Sequence, residues 1–122
     1  MTLEHDDDSE FALVAKARGA RENMVNVLTD YAFSPNPVLR GYAQVTSLIL
    51  KRLGSLQGGG VDTDVDMKPL KELARSKLPP NSQLRKLLEA EKDSVSFESW
   101  LGKMEIYASL LNDETHSHSS LG

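Results

Sequence analysis

The 122-residue sequence has no cysteine, one tryptophan and three histidines. Without cysteine there can be no disulfide, thiolate nucleophile, iron–sulfur cluster or Cys-type zinc site. That absence suits a reducing compartment, and a cytoplasmic (intracellular) setting is the expectation. No stretch approaches the roughly 18 consecutive apolar residues that a membrane-spanning helix requires. The opening residues MTLEHDDDSE are acidic and show neither the basic nor the apolar region of a secretory signal.

The three histidines are His5, His116 and His118, all near the ends of the sequence. The central chain therefore has no imidazole to act as a general base beside a serine. Carboxylate pairs such as Glu89 with Glu91, or Glu98 with Glu105, fall on polar helix faces where solvation is the default. The glycines of GSLQGGG follow no strand and precede no Lys-Ser/Thr, so they do not read as a phosphate loop. Catalysis is not expected, and neither is a cofactor.

Metal binding fares no better. His116 and His118 form an H-x-H pair without the third and fourth converging ligands a metal site needs. Asp62-Thr63-Asp64-Val65-Asp66 starts like an EF-hand loop. However, Met67 stands where the turn needs glycine, and Leu73 where the bidentate glutamate belongs. Asp66 reads instead as a cap for the helix that follows.

What the sequence does contain is helical periodicity. Leu13, Ala17, Ala20, Met24, Val27, Leu28 and Tyr31 recur in three- and four-residue steps, one apolar stripe on a helix predicted over 8–32. Asp7 and Glu10 have the form of a capping box before it. Gly19, beside Ala17 and Ala20, suggests a close approach by another helix. The segment FSPNPVLRG then punctuates the chain, with Asn36 as N-cap and Pro37 at the first helical position. Val38, Tyr42, Val45, Ile49, Leu53 and Leu56 line a second helix over 37–56, thickened by Leu39, Leu48 and Leu50.

Gln57 and three glycines end regular structure, and three shorter helices are predicted beyond them. The first runs from Met67 to Leu78. The next is capped at Asn81 and reaches Lys92. The last starts at Ser96, with Val95 and Trp100 spaced as a hydrophobic staple.

No alternation is long enough to predict a strand. The expected fold is all-α, a compact bundle of about five helices whose first two form an antiparallel hairpin. Its expected layout is an acidic tail at 1–7, one helical domain over 8–112 and a disordered tail at 113–122. The domain divides into a hairpin at 8–57, a flexible loop at 58–66 and three helices at 67–112.

Charge is unevenly spread. The net charge is −4, yet residues 67–92 carry seven bases against three acids, while 1–34 and 93–122 are acidic. A basic face of Lys68, Lys71, Arg75, Arg85 and Lys86 would steer an acidic partner. The same charges could equally pair with the acidic helices at either end. A helix-turn-helix reader at 82–110 would present Glu98 and Glu105 with only Lys103 to offset them, so phosphates would repel it.

Asn36-Pro37-Val38-Leu39-Arg40-Gly41-Tyr42-Ala43, continued by Leu48, Leu50 and Leu53, resembles the second helix of a HEAT or armadillo repeat. The resemblance implies stacked helix pairs presenting a groove to protein partners. A second copy is missing, because Pro80-Asn81-Ser82-Gln83-Leu84 offers the cap without the arginine spacing or the length.

The expected function is a non-enzymatic protein–protein interaction module, an adaptor or regulatory subunit. Its binding residues would be Lys68, Lys71, Arg75, Arg85 and Lys86 on the basic face, with Leu39 and Leu50 in an apolar groove or homodimer seam. Weak nucleic-acid or phosphate binding by 67–92 is the alternative.

Overall fold

The computed structural model describes residues 2–55 and 64–121, and the side chains of 15–53 and 64–118. Five helices and one short antiparallel ladder lie among them, and the fold is all-α. In chain order these are α1 (Thr2–Tyr31), α2 (Pro37–Ser55), β1 (Asp64–Asp66), α3 (Lys68–Lys77), α4 (Gln83–Ala90), β2 (Ser94–Ser96) and α5 (Phe97–Leu121). Helix α5 is the hub: it runs along α1 and also touches α2, α4 and both strands.

The apolar stripes of the sequence become the core. Met24 of α1, Tyr42, Val45 and Ile49 of α2, Leu70 of α3, and Leu84 and Leu88 of α4 surround Trp100, Met104, Tyr107 and Leu111 of α5 in one cluster. Two buried threonines are satisfied within their own helices. The Thr46 hydroxyl donates to the Tyr42 carbonyl at 2.8 Å, and that of Thr115 to the Leu111 carbonyl at 2.6 Å.

Several expectations need correction. Helix α1 starts at Thr2, so residues 2–7 are helical and Asp7 lies inside the helix instead of capping it. Asp64–Asp66, expected as flexible loop, is strand β1, paired with β2 in the register Asp64↔Ser96, Val65↔Val95 and Asp66↔Ser94. A three-residue strand is too short to show alternation in the sequence. Its pattern is clear only once Val65 turns into the core with Asp64 and Asp66 outside. The Gly-rich part of the expected loop, 56–63, lies outside the described residues.

Two helix starts also differ. Ser82, not Asn81, caps α4, its hydroxyl accepting the Arg85 N–H at 3.0 Å. Asp66 does accept the Lys68 N–H at 3.1 Å, although the helix boundary itself falls at Met67. At α5 the Ser96 hydroxyl accepts the Ser99 N–H at 3.2 Å, as an N-cap should.

The largest departure is at the C-terminal end, where α5 continues to Leu121 instead of fraying after Asn112. Glu114 supplies the reason. Its carboxylate accepts hydrogen bonds from the Tyr42 hydroxyl, from the Ser82 hydroxyl at 2.6 Å and from the Leu84 N–H at 3.0 Å. Ser82 and Glu114 thereby satisfy two of the orphan N–H groups that open α4, and the same carboxylate ties α5 to α2.

Candidate interaction surface

The basic segment folds into a hairpin of α3 and α4 in which much of its charge is used internally. Lys71, with a side chain 17% exposed, donates to the Glu91 carbonyl at 2.7 Å and to the Asp93 carboxylate at 3.1 Å, closing the end of α4. Arg75 of α3 and Arg85 of α4 meet on the same oxygen of Glu89, at 3.4 Å and 3.1 Å. Arg85 also donates to the Leu78 carbonyl at 3.3 Å. These contacts hold the Glu89 carboxyl below the usual carboxylate range, the Arg85 hydrogen bond contributing most. Lys68 and Lys86 are exposed, and neither forms an ion pair among the described residues.

Of the seven sequence-predicted site residues, the structure thus brings three basic side chains together on internal acids and leaves two free at the surface. The acids that pair with them are Glu89 and Asp93, close neighbours in the chain, and not the acids of α1. The apolar pair is accounted for differently. Leu39 is buried at 6% exposure, so it cannot line an open groove, and Leu50 is half-buried against the core. Helix α2 lies between α1, α3 and α5, which between them cover its broad apolar face.

A groove among the described residues lies elsewhere, along the seam of α1 and α5. Leu101, Gly102, Ile106 and Leu110 of α5 line one stretch of it. Gly19, Ala20 and Asn23 of α1 line the adjoining stretch, and Lys16 and Glu105 border both. Ile106 is 51% exposed. Gly19, expected to admit a neighbouring helix, has nothing within 4 Å of where a side chain would begin, and the same holds for Gly102. No part of the chain among the described residues explains either glycine by close packing. The sequence signal for this seam was weak, because its lining mixes small, polar and apolar residues.

Tyr42, Tyr107 and His118 have structural surroundings. Burial and the Glu114 carboxylate push the Tyr42 phenol well above its ordinary range. Burial and Glu91 do the same for Tyr107, which donates to Glu91 at 3.2 Å. Glu91 also pairs with Lys103 of α5. The His118 ring lies against Tyr42, centroids 5.7 Å apart, whereas His116 is exposed. Among the described residues no group of three or more His, Cys, Asp or Glu is placed to hold a metal ion. Nor is any helix there long and apolar enough to cross a membrane.

Comparison of the chain with protein-family models, with characterised proteins and with solved structures found no match.

Proposed function

We propose that this chain is a non-enzymatic helical interaction module, an adaptor or regulatory subunit that works in the cytoplasm by binding another protein. The observation that carries the reading is the seam between α1 and α5. Two mid-helix glycines there have open space at their sides, and Ile106 is half-exposed between half-buried leucines. A glycine inside a helix costs about 1 kcal/mol relative to alanine, and a partner lying close against the backbone would give that cost a purpose.

The exposed Lys68 and Lys86 add positive charge that favours an acidic partner. Binding to nucleic acid by 67–92 is the weaker reading, because Lys71, Arg75 and Arg85 already neutralise internal carboxylates.

The test is purification of the tagged chain from its host, with nuclease and high salt applied to half of the sample. A stoichiometric protein that survives both treatments and is lost from an Ile106→Asp variant is the expected result. Loss of everything on nuclease treatment would replace this reading with the nucleic-acid one.

A further inference from the structure

The turn joining α1 to α2 carries a large aromatic side chain in the open. Phe33 is 96% exposed, against the burial of most other large apolar side chains described. Tyr31, two residues earlier, packs on the core, so Phe33 falls beyond the last inward position of the stripe.

An exposed ring on a loose loop would mean little, but this turn is braced. The Ala32 N–H donates to the Leu28 carbonyl at 2.9 Å and the Ser34 N–H to the Tyr31 carbonyl at 3.2 Å. The Asn36 N–H reaches the Ser34 hydroxyl at 3.1 Å, and the Val38 N–H reaches the Asn36 side-chain oxygen at 2.9 Å. Pro35 and Pro37 fix two φ angles between them. Arg40 of α2 folds back over the turn, its Nη1 donating to the carbonyls of Ser34 at 2.9 Å and Pro35 at 3.4 Å.

Arg40 adds an unneutralised charge on the same turn. It is exposed and forms no ion pair among the described residues, and 35–55 contains no aspartate or glutamate at all. Nη1 serves the turn, which leaves the remaining N–H donors of the guanidinium for an outside acceptor. Aromatic rings and arginines are the side chains that most often anchor protein interfaces. A rigid turn also spares a complex the ordering cost that a mobile loop would impose.

We propose that the α1–α2 turn is a docking tip for a protein that offers an apolar pocket to Phe33 and a carboxylate at the pocket rim to Arg40. The inference rests on the reading of the chain as a protein-binding module and names a contact separate from the α1–α5 seam. Arginine is suited to that rim because its hydrogen bonds to a carboxylate are charge-assisted and directional.

The experiment places the photo-crosslinking residue p-benzoylphenylalanine at position 33 of the full chain in its host, with position 44, exposed on α2, as the control. The expected result is one protein adduct from position 33 and none from 44, mapped to an apolar pocket bordered by Asp or Glu. With that partner purified, Phe33→Ser should weaken binding by about 30-fold while leaving the melting temperature of the free chain unchanged. Arg40→Glu should weaken it too, and reversing the partner's carboxylate to arginine should restore it.

No adduct at 33, the same adducts at 33 and 44, or an adduct only with a second copy of this chain would each overturn the proposal. A stable partner that depends on Ile106 but not on Phe33 would overturn it and leave the module reading intact. Absence of any protein partner in both experiments would remove both readings.

Discussion

Three glycines in helices behave in opposite ways, and the difference is purely steric. A methyl group on Gly41 would sit 2.6 Å from the Lys77 carbonyl oxygen, so α2 can approach the end of α3 only because nothing is there. Gly41→Ala is expected to lower unfolding free energy by about 1–3 kcal/mol, the usual range for overpacking, as measured by urea denaturation. Gly19→Ala and Gly102→Ala meet open space and should each stabilise the chain by about 0.5–1 kcal/mol through helix propensity and a less flexible unfolded state. If either glycine serves the proposed partner contact, the same substitution should weaken binding while strengthening the fold. That opposition is a signature a purely structural glycine would not give.

Between elements, two carboxylates add polar links to the shared apolar core. Glu114 holds α5 on α2 and on the start of α4, and Glu114→Ala leaves the Tyr42 and Ser82 hydroxyls and the Leu84 N–H without it. The expected cost is about 1–3 kcal/mol, with amide exchange rising first in α5 beyond Asn112. Glu89 joins α4 to α3 through Arg75, with Arg85 beside it on α4, and its carboxyl is depressed in the folded state. A group depressed by folding stabilises above its unfolded pKa, and that contribution is lost as pH falls through the folded value. The urea midpoint should therefore fall on acidification through the carboxylate range, and Glu89→Gln should flatten that dependence. Reversing charge at Lys71 and Arg75 would break internal links, to Asp93 and to Glu89 respectively. Reversal at the exposed Lys68 and Lys86 is the cleaner probe of a partner, and it should reduce affinity for an acidic protein without shifting the melting temperature.

For the whole molecule, the core around α5 sets the alkaline limit. Tyr42 and Tyr107 are raised above the ordinary 10.0 by burial and by the carboxylates Glu114 and Glu91. The unfolded chain ionises its tyrosines near 10.0 while the folded chain keeps these two protonated. Stability is therefore full below that pH and declines as pH rises above it. Absorbance at 295 nm should show both phenols ionising only together with unfolding. A core in which Trp100, Met104, Tyr107 and Leu111 are all fully buried along one helix makes that unfolding cooperative, so tyrosine ionisation and loss of helix should coincide.

By itself the sequence determined the helices, because their periodicity, prolines and caps are local. The stripe from Ala17 to Tyr31, Pro37 at the head of α2 and Ser96 before α5 act over a few residues and appear in the structure as read. The tertiary fold decided what depends on groups far apart in the chain. Glu114 extends α5 by binding Tyr42, 72 residues away, and Ser82, 32 residues away, so no local pattern marks the segment as ordered. Val65 becomes strand only through Val95. Likewise, charge counting identified a basic segment, but only the α3–α4 contact shows that Arg75 and Arg85 share Glu89 while Lys68 and Lys86 remain free. Leu39 and Phe33 make the same point from opposite sides. Both are apolar residues near one turn, and the folded chain buries the first and leaves the second in water.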